Sequence, residues 1–321
     1  MNADFDTSER DHVTLHTQPS AAPGARGWVW YQRRMAIDDR PRTSTSERRA
    51  VPAEISRSWL LVAATAEHGF DRAARSRADQ VVLDIEDAVD PKRKPEARAT
   101  VAAWLAGGGS AWVRINDVTT PFWADDVEAL RGLPGLRGVV LAKTEAAEQV
   151  TDTWHRLGGT HPVVALVESA LGIEESTAIA RAKGAFRLAF GSGDYRRDTG
   201  TSADTLAMAY PRSRLVVASR VGDLPGPIDG PTVGTSHPIL REQAQVAVAL
   251  GLTGKLCLDT DQLPVINEVI SPTPADVAWA RDFLDDFEAR DRMVRDGSDL
   301  PRLGRAQKIE RLAQAFGVEP R

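Results

Sequence analysis

The chain has 321 residues, 42% hydrophobic and 26% charged, with 40 Lys and Arg against 45 Asp and Glu, for a formal charge of −5. That balance is ordinary for a globular protein with a sizeable core, and it speaks against a general affinity for nucleic acid. The single cysteine, Cys257, excludes an internal disulfide framework and a cysteine-rich metal site, and no run approaches the roughly 18 apolar residues of a membrane helix.

The start, MNADFDTSERD, is acidic and has no apolar stretch behind a basic one, so a soluble, cytoplasmic protein is expected. Residues 1–53 are rich in Ser, Thr, Pro, Arg and Asp, and their one apolar island is Trp28-Val29-Trp30-Tyr31. Such a segment buries too little to offset its ordering entropy, so it reads as a flexible extension. Docking of the aromatic island on a neighbouring surface is the alternative.

Alternation begins after residue 53. Strands are expected at 58–63 (SWLLVA), 81–89 (VVLDIEDAV), 111–116 (AWVRIN), 138–143 (GVVLAK), 163–168 (VVALVE), 187–192 (RLAFGS), 227–233 (PIDGPTV) and 254–259 (GKLCLD). Short apolar runs bounded by turn residues mark strands buried on both faces. Helices are expected at 67–77, 94–105, 122–130, 145–157, 204–221 and 239–250, with a further helical pattern after Glu168 and a glycine stop at 107–109. Thr273-Pro274-Ala275-Asp276 opens a helix to about residue 290, and a last helix spans 304–316. About eight βα units argue for an α/β fold of the TIM (β/α)8 barrel type over 54–290, with a C-terminal helical segment over 291–321. An open doubly wound sheet would carry a glycine-rich loop after its first strand; here that strand runs into Ala63-Ala64-Thr65-Ala66.

Acids recur where such a barrel opens. Glu168 closes one strand, and Asp194 follows the next after Gly191-Ser192-Gly193. Mg²⁺ takes oxygen ligands and needs only one or two carboxylates, so this pair is the metal candidate; capping a helix or pairing with an arginine is the plainer role. Arg114, in VRIN, could fork a substrate carboxylate or pair with Glu86 or Asp87 of the DIED run. Asp84 of the same run reads as pointing away from Asp87. Arg57, before the first strand, is a rim arginine that could meet substrate. Lys143 could serve a metal-free aldolase as a Schiff-base lysine, or a salt bridge. His237 and Cys257 are solitary and read as non-catalytic.

These motifs together resemble the citrate lyase β-subunit-like family of the HpcH/HpaI aldolase superfamily. RSW-L-LV, VVLDIEDAVDPKRK, VRIN, VVLAK, ALVES, LAFGSGD, RSRLVVASR, PIDG and GKLCL occur in its order over about 55–290. The resemblance implies a TIM barrel, a divalent cation (usually Mg²⁺), reversible carbon–carbon cleavage of a β-hydroxy acyl thioester, and a homotrimer or hexamer. It assigns the metal to Glu168 and Asp194, the substrate carboxylate to Arg114, and the acidic pair to Glu86 and Asp87. The implied chemistry is a chelated oxo-acid with an enolate forming on the thioester partner. VAATAEHG replaces a Val-Pro-Gly-type loop that helps receive CoA phosphates, and Leu258-Asp259-Thr260 replaces an Ile-His-Pro stretch. A CoA thioester, a carrier-protein thioester and a free acid therefore all stay open. Relatives that borrow an acid from a neighbouring subunit offer Asp296 or Asp299 here. A class II pyruvate-type aldolase would want a histidine near the rim, where only His68 stands, and a non-catalytic thioester-binding relative is the third reading.

Overall fold

Along the strands, alternate side chains sort between an inner apolar core and outer packing against the helices. The inner core gathers Trp59, Val82, Trp112, Val140, Val164, Leu166, Ala189, Ile228 and Leu256, at least one from every strand and none from a helix. The outer packing joins the intervening residues, Leu83, Val113, Val139, Leu141, Ala165 and Phe190 among them, to the surrounding helices. That division is what a closed barrel requires. The computed structural model describes residues 50–234 and 236–320; the Trp28–Tyr31 island lies outside them. Parallel strands β1 (Ser58–Ala63), β2 (Gln80–Asp84), β3 (Ala111–Ile115), β4 (Leu136–Leu141), β5 (Val163–Val167), β6 (Ala185–Phe190), β7 (Ile228–Asp229) and β8 (Gly254–Cys257) pair in sequence order, and β8 returns to β1. The barrel, and not the doubly wound sheet, is the fold.

Around it stand α1 (Phe70–Ala74), α2 (Lys94–Ala106), α3 (Trp123–Leu130), α4 (Ala147–Arg156), α5 (Ala170–Ala180), α6 (Ser192–Thr199), α7 (Ala209–Val221), α8 (His237–Ala249) and α9 (Leu263–Ile270). Beyond them, α10 (Pro274–Ala289) and α11 (Asp299–Phe316) pack on each other through Val277, Ala280, Ala306, Ile309 and Ala313. The Thr273–Asp276 capping box opens α10 as expected.

Several boundaries differ from expectation. The helix at 67–77 is a 3₁₀ turn, Glu67–Gly69, followed by the short α1. β7 keeps two residues where seven were expected. Gly230 there packs so closely on Ser192 that a Cβ would lie 2.5 Å from its hydroxyl, and Pro231 cannot donate to a ladder. The last helix starts at Asp299, since Pro301 falls in its first turn, where proline is tolerated. Among the described residues no helix is long and apolar enough to cross a membrane.

Candidate active site at the mouth of the barrel

Asp84 and Arg114 are paired across β2 and β3, on the inward side near the carboxyl ends of both strands. The guanidinium meets Asp84 as a fork: Nε donates to Oδ1 at 2.8 Å and Nη2 to Oδ2 at 2.6 Å. Its remaining nitrogen, Nη1, lies 3.2 Å from Glu86 Oε2. Asp84 Oδ1 also accepts from the backbone N–H of Glu86, at 3.0 Å. Asp84 is therefore the principal partner of Arg114, which the sequence reading did not assign; the ion pair it expected with Glu86 is present beside it, and the one with Asp87 does not form among the described residues. The signal lay in the register, because Asp84 and Arg114 are both last inward positions on neighbouring strands. Asp87, one residue further, is exposed.

Glu168 follows β5 and is 6% exposed. Its Oε1 accepts from the backbone N–H of Lys143 at 2.8 Å, which Lys143 delivers from a left-handed conformation, φ 43°. Gly191 gives the carboxylate its room: a Cβ there would sit 2.1 Å from Glu168 Oε2. Burial, with the charges of Glu86 and Asp194 nearby, pushes the Glu168 carboxyl up to about 8, against the partial relief of the Lys143 N–H. Asp194 occupies the first turn of α6, not a strand end, and pairs there with Arg197. Burial also raises Glu86, to about 7, although Arg114 opposes the shift.

Glu86 Oε2 is buried without a hydrogen-bond donor among the described residues. The mouth thus carries Asp84, Glu86 and Glu168 near the buried Arg114 guanidinium, with Asp194 close enough to Glu168 to act on its charge, and burial raises the carboxyls of Glu86 and Glu168 toward neutrality although Arg114 opposes the shift. An oxygen-only donor set with surplus negative charge fits a hard divalent cation. Among the described residues no three acids form a ready cage, so the fit is to an ion held by two carboxylates and otherwise by water or substrate.

Other candidates lie elsewhere. Arg57 precedes β1 and so stands at the opposite end of the barrel. It is 6% exposed and forks Asp79, with Nε to Oδ2 at 2.8 Å and Nη2 to Oδ1 at 2.9 Å, while Nη1 donates to Ser271 Oγ at 2.7 Å. That geometry corrects the expectation that Arg57 meets substrate: the residue closes the base of the barrel. Lys143 is exposed, outside any apolar pocket of the kind a Schiff-base lysine uses. His68 and His237 are exposed, and burial pushes the Cys257 thiol up to about 12. Asp299, offered as an acid lent to a neighbouring subunit, is buried and accepts from Arg290 Nη1 at 2.6 Å and Arg295 N at 2.7 Å. It is locked into the start of α11. Asp296 caps Ser298 through its own Oδ1.

A TIM barrel whose mouth gathers buried carboxylates beside a forked arginine has the makings of a metal-assisted enzyme acting on carboxylate substrates. The chain belongs to the HpcH/HpaI aldolase/citrate lyase family, whose model matches residues 57–260, and residues 275–317 match the HpcH/HpaI aldolase C-terminal domain. It is thus a carbon–carbon lyase by class. A citrate lyase subunit beta-like protein from Deinococcus radiodurans is 30% identical over 248 residues, covering 73% of this chain and 86% of that protein. The mitochondrial citramalyl-CoA lyase of Rattus norvegicus is 29% identical over 309 residues, 85% of this chain and 90% of the relative. Among solved structures, CitE from Mycobacterium tuberculosis in complex with magnesium, acetoacetate and coenzyme A superposes with a TM-score of 0.67 at 28% identity, over 81% of this chain and 99% of that one. Magnesium in that neighbour agrees with the cation expected here.

Proposed function

We propose that this protein reversibly cleaves the carbon–carbon bond of a β-hydroxy acid carried as an acyl thioester, with Mg²⁺ held by Glu168 and Asp194. The observation that carries the reading is the surplus of buried carboxylate at the mouth, Glu168 and Glu86 above all, beside a guanidinium fixed by Asp84. When bound, the cation acts as a Lewis acid toward the oxygens of the oxo-acid product. Arg114 Nη1, the one nitrogen outside the Asp84 fork, orients the substrate carboxylate. In cleavage the β-hydroxyl loses its proton to Glu86 and its carbon becomes a carbonyl. The bond to the thioester α-carbon breaks, its electron pair remains there as an enolate, and a proton returned to that carbon completes the thioester product. Glu86 suits the proton step because its carboxyl is poised near neutrality. Asp87, exposed beside it, orders water at the rim.

The coenzyme A thioester is preferred because the citramalyl-CoA lyases and the L-malyl-CoA/beta-methylmalyl-CoA lyase of Cereibacter sphaeroides are so named, and the latter is 29% identical over 274 residues. A homo-oligomer working in the cytoplasm completes the reading, consistent with a single, buried cysteine. Purified protein should be assayed with citramalyl-, malyl- and citryl-CoA and with free oxo-acid aldols, with and without Mg²⁺. Mg²⁺-dependent release of an oxo-acid from at least one thioester is the expected result. Turnover of free acids alone would replace it with a class II aldolase, and thioester binding without turnover would replace it with a non-catalytic relative.

A further inference from the structure

Directly behind the turn that carries Glu86 and Asp87 lies a buried ammonium that the proposed chemistry does not use. Lys94, the first residue of α2, is 7% exposed, and its Nζ donates to the carbonyls of Ile85 at 3.1 Å and Glu86 at 2.8 Å and to Asn116 Oδ1 at 2.5 Å. An ammonium has three protons, so all three are engaged, and none meets a carboxylate. A buried cation facing only neutral acceptors is unfavourable unless its geometry is fixed from outside. Here it is. Asn116 donates from Nδ2 at 2.6 Å and from its backbone at 3.1 Å to Asp126 Oδ2, and Asp126 Oδ1 accepts from Arg98 Nε at 2.8 Å. Asp126 and Asn116 are both almost fully buried.

The turn itself is pinned from two sides. Ile85 N–H donates to Arg114 O at 3.1 Å and Glu86 N–H to Asp84 Oδ1 at 3.0 Å, on the side of the mouth. The two carbonyls of the same residues accept from Lys94, and each has a second, longer donor, Asn116 Nδ2 at 3.3 Å for Ile85 and the Val89 N–H at 3.2 Å for Glu86. With all four backbone groups committed, the direction of the Glu86 side chain is set before any ligand arrives.

We propose that Lys94 is a positioning residue: it holds the Ile85–Glu86 peptide so that Glu86 faces Arg114 at the mouth, and Arg98, Asp126 and Asn116 hold Lys94. Its effect on rate rests on the lyase reading above; its effect on the turn does not. Backbone carbonyls, not charge, are the means, since Lys94 reaches Glu86 only through the main chain.

The test uses full-length Lys94→Met, which keeps the aliphatic stem and removes the donors. Amide hydrogen exchange at 85–87 is expected to quicken by about tenfold or more while β4 to β6 keep their protection. Substrate KM and Mg²⁺ affinity should stay within about threefold while kcat falls by about thirtyfold. Lys94→Arg, which still offers charged donors to the two carbonyls, should recover most of kcat. Should Lys94→Met not fold, Asn116→Ala removes one acceptor of Lys94 together with the Nδ2 donor to Ile85 O and Asp126, which keeps Arg98 and the Asn116 backbone N–H, and should show the same signs at smaller size. Unchanged exchange at 85–87, or a loss of protection spread evenly over the barrel, would overturn the proposal. If no thioester is turned over at all, the exchange result still decides the role of Lys94, separately from the lyase reading.

Discussion

Burial keeps the Glu168 carboxyl protonated up to about 8 and that of Glu86 up to about 7, against an ordinary value of 4.5 for both. Between those limits the folded chain binds more protons than the unfolded one. Without a cation, the stability these two acids contribute is therefore complete below about pH 4.5 and is lost as pH rises through 7 to 8. On the proposed ligand pair, Glu168 and Asp194, Mg²⁺ would take the place of the proton, so its binding should tighten with rising pH and release protons. We expect the melting temperature of the metal-free protein to fall between about pH 5 and pH 8, and Mg²⁺ to restore it mainly at the upper end. Calorimetry in two buffers of different ionisation enthalpy counts the protons released. Glu168→Gln should flatten this profile, keep the fold and abolish the Mg²⁺ effect; a variant still stabilised by Mg²⁺ would move the cation elsewhere. Arg114 carries two duties, because Asp84 occupies its fork and Nη1, which already lies 3.2 Å from Glu86 Oε2, is the nitrogen a ligand would share. Arg114→Lys should lose about a hundredfold or more in kcat/KM and also lower the melting temperature, since lysine cannot return both bonds to Asp84. An unchanged melting curve would show that the Asp84 fork contributes nothing to the fold.

At the level of elements, the junction between β6 and α6 brings Glu168 and Asp194 into one neighbourhood, and Gly191 is its narrowest point. A methyl group at Gly191 would meet Glu168 Cβ at 2.5 Å as well as the carboxylate. Gly191→Ala is therefore expected to displace Glu168 and weaken Mg²⁺ binding by about tenfold or more without unfolding the barrel. Titration calorimetry checks it, and wild-type affinity would mean that the carboxylate has room to spare. Strands of this kind were legible from sequence because continuous apolar runs are demanded by two-faced burial. The acid at the end of β5 was legible for the same reason: it breaks such a run. Asp194 was singled out by its position after Gly193, but the helix it sits on was not expected, since SGDYRRDT is almost wholly polar and short. The helix α9 was missed because LPVINEVI is dense in β-branched residues, which favour strands until packing on β1 and β8 overrides them. Arg57 was misplaced by one element end. Chain direction already places a residue ahead of β1 at the amino end of the barrel, its base, so the error lay in treating Arg57 as a rim residue.

Across the whole barrel the two ends divide labour, with acids at the mouth and arginines closing the base. Arg187 on β6 is fully buried, and its Nη1 donates to the carbonyls of Ala53 at 3.1 Å and Ser56 at 3.0 Å. Nε and Nη2 donate to Gly226 O at 2.9 and 2.6 Å, and Nη2 also reaches Thr253 Oγ1 at 3.0 Å. Among the described residues no carboxylate is bonded to it, and burial pulls this guanidinium down to about 9. The chain leading into β1 is thereby tied to the loop before β7 and to the start of β8, and Gln80 adds a bond from Nε2 to Val51 O at 2.9 Å. Stability is the role expected at this face of a TIM barrel. Removing residues 1–50 spares each of these contacts and should shift the melting temperature only slightly. Removing residues 1–56 takes away the Ala53 and Ser56 carbonyls and should destabilise by about 3 kcal/mol or more. Arg187→Met should destabilise to a similar extent while the folded fraction keeps its kcat/KM. Because both changes break the same bonds, their combination should cost less than the sum of the two. Denaturant melts of the four proteins make the cycle. Strict additivity would mean that Arg187 stabilises through the Gly226 loop alone, and a large effect from removing 1–50 would place a further contact upstream of Ala50.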